Sequence, residues 1–159
     1  MKYLTQSPGY ITLEIIIATT ILLILCGLSY TPSTAYLRQY HRMQVRIAAQ
    51  HFATDIRSLQ QKALFGNSAS DKLVILSNNQ GYYWLFTNNN NRTYTYFKNL
   101  GCDGVYFKEK LSTVQFSSSG APSGSSDYVY ELKHYEDDNF TCKLILQVAS
   151  GRLDINEIS

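Results

Sequence analysis

Between Lys2 and Arg38 the chain carries a single charge, the carboxylate of Glu14. It stands near the start of the run Ile15-Ile16-Ile17-Ala18-Thr19-Thr20-Ile21-Leu22-Leu23-Ile24-Leu25. From Tyr10 to Tyr30 a helix would be roughly 31 Å long at 1.5 Å per residue, which matches the hydrocarbon thickness of a bilayer. The run therefore predicts one membrane crossing. A carboxyl group in hydrocarbon costs roughly 2.5 to 3.5 kcal/mol on insertion scales, and a plain anchor gains nothing from it. Glu14 accordingly reads as functional.

Past the apolar run, Thr31-Pro32-Ser33 predicts a kink or a fresh helix start, because proline removes a backbone donor and Ser or Thr can cap the next helical turn. Val45, Ala48, Phe52, Ile56, Leu59 and Ala63 then recur at steps of three and four, the stripe of an amphipathic helix that packs on a core. Arg42, Arg46, Asp55, Arg57 and Lys62 fall off that stripe. Gly66-Asn67 ends the helix, with Lys62 suited to the negative end of its dipole.

From there the texture turns to strands, expected at 72–77, 81–87, 93–98, 104–107, 113–117, 127–134, 140–148 and 152–156 from β-branched and aromatic content between turn residues. Phe140, Cys142, Leu144, Leu146 and Val148 alternate with Thr141, Lys143 and Gln147. Tyr128, Tyr130 and Leu132 alternate with Glu131 and Lys133. Both patterns put one strand face on a core. The expected class is α+β, a long N-terminal transmembrane and amphipathic helix packed on an antiparallel β-sheet or β-sandwich head.

At 159 residues, a leader and anchor leave about 95 residues outside the membrane, enough for one globular unit. The net charge of +2 is unevenly spread. Residues 1–65 sum to +4 and the remainder to −2, so the head is a poor binder of phosphate backbones. Cys26 lies within the apolar run. Cys102 and Cys142 are the pair in the head able to form a disulfide, which would close a loop of about 40 residues and contribute roughly 4 kcal/mol; the alternative is two buried thiols. His41, His51 and His134 show no acidic or Cys partner at metal-ligand spacing in the sequence and are expected at the surface. Glu136-Asp137-Asp138-Asn139 reads as an acidic hairpin turn rather than a calcium loop. Arg38, Arg42 and Arg46 share one helix face, open to lipid phosphates, to a neighbouring subunit or to solvent. No catalytic constellation, metal site or cofactor is expected, so the chain is not read as an enzyme.

The stretch Gly9-Tyr10-Ile11-Thr12-Leu13-Glu14, a short leader ending in Gly with a Glu five positions beyond it and then an apolar helix, resembles the amino terminus of type IV pilins and pseudopilins. Tyr10, Ile11 and Thr12 stand where that family more often has Phe, Thr and Leu, and Pro8 where it prefers a basic residue. The head, with Val114-Gln115-Phe116, Gly120, Gly124 and Gly151-Arg152-Leu153, resembles the H-class minor pseudopilins of type II secretion.

The resemblance implies cleavage by a prepilin peptidase between Gly9 and Tyr10, N-methylation of Tyr10, and a role for Glu14 in assembly by neutralising that amine on a neighbour. It divides the chain into a leader 1–9, a transmembrane helix 10–31, an amphipathic shaft helix 32–65 and an extracytoplasmic head 66–159. The implied place is the cytoplasmic membrane, head outside, and then a pilus or pseudopilus. The implied partners are other pilins, the prepilin peptidase, an assembly platform and membrane lipid, with DNA not expected. Competing readings are a DNA-binding minor pilin, a simple membrane-anchored β-domain, and a lipoprotein signal at Cys26, which Leu25 disfavours by filling the place of a small residue.

Overall fold

The computed structural model describes residues 8–66, 71–75, 81–87, 91–108 and 112–158. Residues 1–7 of the expected leader, Asn67 and the 76–77 end of the first expected strand lie outside the described residues. The chain divides into two units, Met1–Gln39 and Tyr40–Ser159. One helix, α1 (Pro8–Leu64), contributes to both. The helix continues through Thr31-Pro32-Ser33, so no fresh helix starts there. The helix ends where the glycine signal put it: Gly66 adopts φ +75° and its N–H donates to the Ala63 carbonyl at 3.2 Å.

Among the described residues of the second unit eight strands follow: β1 (Lys72–Ile75), β2 (Tyr82–Phe86), β3 (Arg92–Tyr96), β4 (Val105–Phe107), β5 (Ser112–Gln115), β6 (Tyr128–His134), β7 (Asp137–Leu146) and β8 (Leu153–Ile158). They form two four-stranded sheets, in the orders β3-β2-β1-β5 and β4-β6-β7-β8, and every neighbouring pair is antiparallel. The protein is therefore α+β, a long helix packed on antiparallel sheets.

The predicted stripe is the helix's contribution to the core. Val45, Ala48, Phe52, Ile56, Leu59 and Ala63 are all buried, and Ala49 and Ala53 join them. The two additional alanines matter sterically, because a small side chain lets a helix backbone approach a sheet closely. Facing them are Leu73, Ile75, Tyr83 and Val114 from the first sheet and Phe107, Tyr130, Leu132, Phe140, Cys142, Leu144 and Leu146 from the second. The alternation read in β6 and β7 is observed except at Thr141, which is buried although expected on the outer face; Val148 lies beyond β7 in a turn and is half-buried.

Phe52 joins the layers. Its ring meets Tyr83 of β2, Phe107 of β4 and Tyr130 of β6 edge to face, with centroids 5.0, 5.0 and 5.1 Å away. Such pairs add about 0.5 to 1.5 kcal/mol each beyond the area they bury.

Two local expectations need correction. The segment expected as strand 93–98 leaves the sheet after Tyr96 and closes a 3-10 turn, Phe97–Leu100, because Phe97 is drawn fully into the core while its N–H donates to the Gly81 carbonyl at 2.8 Å. The acidic turn expected at Glu136–Asn139 is instead Tyr135-Glu136, and β7 already begins at Asp137. Asp137 is buried because Arg42 on α1 donates to its carboxylate at 3.1 Å, and a paired carboxylate can enter the fold where a free one could not.

Two outcomes test this architecture. A fragment from Tyr40 to Ser159 should fold as a soluble unit with cooperative thermal unfolding, whereas one starting beyond Leu59 should aggregate because both sheets lose their cover. Phe52→Ala should destabilise the fold by about 3 to 5 kcal/mol in denaturant unfolding, since three ring contacts and a cavity are at stake.

Candidate functional site

The described residues of the first unit form one helix, the N-terminal part of α1. From Ile11 to Leu28 it is apolar enough and long enough to cross a membrane, with a mean hydropathy of 2.5 and none of the segment buried. Its isoleucines and leucines are 48% to 70% exposed, a surface compatible with a membrane-spanning helix. Two polar side chains in this run are satisfied internally: the Thr19 hydroxyl donates to the Ile15 carbonyl at 2.8 Å and the Thr20 hydroxyl to the Ile16 carbonyl at 2.5 Å. Threonine can thus enter hydrocarbon at little cost. A carboxylate has no such local remedy. Glu14 is exposed on this helix, and no ion pair to it forms among the described residues. Gly9 and Tyr10 lie in the first turn of α1. Cys26 is exposed on the same apolar surface.

In the second unit the structure brings together residues that the sequence kept far apart. Arg42 and Arg46, open to lipid, partner or solvent in the sequence reading, are engaged within the chain. Arg42 holds Asp137, and Arg46 makes a two-bond contact with Glu157 at 2.8 and 2.7 Å. Both guanidinium groups also lie over the Phe140 ring, at 5.4 and 5.3 Å from its centroid. The Arg46 hydrogen bond holds the Glu157 carboxyl below its usual range. These arginines are positioning residues of the helix on β7 and β8.

The histidines also differ from expectation. His134 is buried, and its ring stacks on His41 at 4.1 Å with an interplanar angle of 9°. The Glu136 backbone N–H donates to His134 Nδ1 at 3.1 Å, which leaves Nε2 to carry the proton and donate to the Asp103 carbonyl at 3.0 Å. Both ring nitrogens are used in the neutral form. Burial first, and then the facing His41, lower the His134 pKa against the opposing pull of the Asp103 carbonyl, Glu136 and Asp137. Gly104 makes room for this ring: at φ +82° a Cβ would come within 2.7 Å of His134 Nε2, so only glycine fits.

His51 has partners too. Its Nδ1 is 3.2 Å from the Tyr83 hydroxyl and 3.8 Å from Asp55. Tyr83 is fully buried and donates to Asp55 at 2.5 Å; burial and then that carboxylate push its phenol far above the ordinary range. Tyr83 therefore keeps its proton, and the triad serves as a polar clamp between α1 and β2. The i, i+4 spacing of His51 and Asp55 was the available signal, and the inward-facing period of β2 the missing half.

Cys102 and Cys142 are free and buried, so the disulfide contemplated from the sequence is not formed. Cys142 lies in mid-strand between Leu132 and Glu157, whereas Cys102 follows the 3-10 turn, with its thiol on the Leu100 carbonyl at 3.7 Å. Burial pushes the Cys142 thiol up to about 11 and raises that of Cys102 as well, which leaves both unreactive. Among the described residues no group of three His, Cys, Asp or Glu side chains could hold a metal ion. Comparison with known protein families, with curated proteins and with solved structures finds no match for this chain.

The neutral His134 has a measurable consequence. Its folded pKa lies below the ordinary value of about 6.5, so the unfolded chain binds protons first as pH falls. The stability it contributes is full above about pH 6.5 and is lost as pH drops toward the folded value. Thermal unfolding at about pH 7.5 and about pH 5.5 should show the loss, and His134→Gln should flatten part of it.

Proposed function

We propose that the chain is a minor pilin or pseudopilin, a structural subunit that is held in the cytoplasmic membrane by α1, trimmed between Gly9 and Tyr10, and then packed into a short filament. The observation that carries this reading is Glu14, a lone carboxylate on an uncovered helix of membrane length. A carboxylate there is costly unless it meets a cation in the same solvent, and the new amino terminus of a neighbouring subunit is such a cation. The position of Glu14, five residues past Gly9, is the one the pilin resemblance requires.

A second observation supports packing of shafts outside the membrane. Tyr40, Met43 and Ile47 follow one another at steps of three and four on α1 and are 41% to 46% exposed. They form an apolar stripe separate from the one that covers the sheets, suited to another helix. In this role the head is carried by the shaft, and the work of extrusion belongs to a separate ATPase. The binding of DNA by the head is disfavoured, since its −2 balance leaves few counterions to release.

Two experiments bear on this reading. Intact-mass analysis after membrane extraction from a peptidase-positive cell should find a chain beginning at Tyr10, and Gly9→Leu should block that processing. Glu14→Leu should insert and be cleaved normally but fail to copurify with partner pilins, because the neighbour's buried amine is left uncompensated at about 3 to 5 kcal/mol. Wild-type copurification of Glu14→Leu would overturn the assembly role.

A further inference from the structure

Beside the His41–His134 stack the second unit opens a cleft of about 400 Å³. Tyr40, His41 and Gln44 of α1 line one side, and Asp103, Tyr135 and Glu136 lie on loops opposite. The lining includes two carboxylates and no Lys or Arg, and His134, which also faces it, is neutral. Gln44 adds a second kind of signal. It is only 5% exposed; its amide nitrogen donates to the Gly101 carbonyl at 3.0 Å, and its Oε1 is buried without a donor. A buried acceptor of this kind calls for an N–H group. Tyr40, one turn before Gln44, is 41% exposed and lines the same cleft.

We propose that this cleft binds a guanidinium group, the side chain of an arginine presented by another protein. A guanidinium is flat, offers five N–H donors and stacks on tyrosine, so one group can reach Gln44 Oε1, pair with Glu136 and lie against Tyr40 or Tyr135. An ammonium is a compact point charge and cannot span the same acceptors while stacking. Tyr135 is held for this by Tyr106, whose ring stacks on it at 4.3 Å. Glu136 is already 3.4 Å from His41 Nε2, and an incoming guanidinium takes over that carboxylate. The inference rests on neither Glu14 nor the apolar segment Ile11–Leu28; of its residues only Tyr40 also belongs to the exposed stripe assigned to shaft packing, and the experiment reads ligand binding to the unassembled chain.

The test uses the full chain in detergent micelles, following the imidazole C–H resonances of His41 and His134 by NMR. N-acetyl-arginine amide should shift both resonances saturably, while the lysine and citrulline counterparts should bind at least about tenfold more weakly. Methylguanidine separates the two sources of the group: weaker binding than the arginine amide points to a protein side chain, and equal binding to the free guanidinium as sufficient, and either upholds the site. Glu136→Gln, at an exposed position, and Gln44→Met should each weaken binding about tenfold, with the near-ultraviolet circular dichroism of Glu136→Gln unchanged. Absence of a saturable shift, equal affinity for citrulline amide, or full affinity in Glu136→Gln would overturn the proposal.

Discussion

The three edge-to-face contacts of Phe52 are the interaction on which the second unit depends. A four-stranded sheet of short strands cannot hide its inner face alone, and here there are two such sheets. Each needs an apolar lid. By touching Tyr83 on one sheet and Phe107 and Tyr130 on the other, one ring makes a single helix the lid of both. Alanines at 48, 49 and 53 let the backbone come close enough for the ring to reach. Had the stripe carried large residues at those positions, the helix would stand off and the ring contacts would open.

An apolar stripe fixes which face of a helix points inward but leaves sliding along the axis comparatively free. That freedom is removed by polar contacts at intervals along α1. Arg42 meets Asp137 and Arg46 meets Glu157; Asp55 takes the Tyr83 hydroxyl; and Gln60 donates to the carbonyls of Gly120 and Gly151 at 2.9 and 3.2 Å. Exposed pairs such as Arg46–Glu157 contribute little stability, so their chief effect is on register. Asp55–Tyr83 is of another kind. Its donor is a fully buried phenol, which loses its carboxylate partner and keeps only His51 when Asp55 is removed.

Legibility in the sequence tracks the range of the physics involved. Period 3.6 in α1, period 2 in β6 and β7, and the glycine after α1 are local effects, and each appears where the residues put it. All eight strands fall close to their expected spans. The failures share a different cause. Arg42 finds Asp137 and His41 stacks on His134 across more than half the chain, and no short window contains both partners. The surface assignment of His134 failed because burial of an imidazole depends on two backbone partners, the Glu136 N–H and the Asp103 carbonyl. The early exit of Phe97 from its strand likewise reflects a core vacancy that is defined only once both sheets are in place. Of the candidate sites, the lone charge of Glu14 was visible at once, whereas the cleft around Gln44 was invisible because α1, the loop at Asp103 and the turn at Glu136 build it jointly.

The two halves of α1 also solve opposite problems with the same backbone. Between Ile11 and Leu28 every hydroxyl with a described bond turns back onto its own helix, the arrangement that a hydrocarbon surrounding would require. Between Tyr40 and Leu64 Arg42, Gln44, Asp55 and Gln60 bond to strands and loops, because there the helix is one wall of a core, while Thr54, on the exposed side, bonds back to the Gln50 carbonyl. Glu14 obeys neither pattern. A glutamate cannot return its charge to the helix as threonine returns a hydroxyl, and the apolar residues around it offer no donor. Among the described residues it forms no ion pair, and that misfit between a charge and its apolar surroundings is the reason for the proposed assembly role.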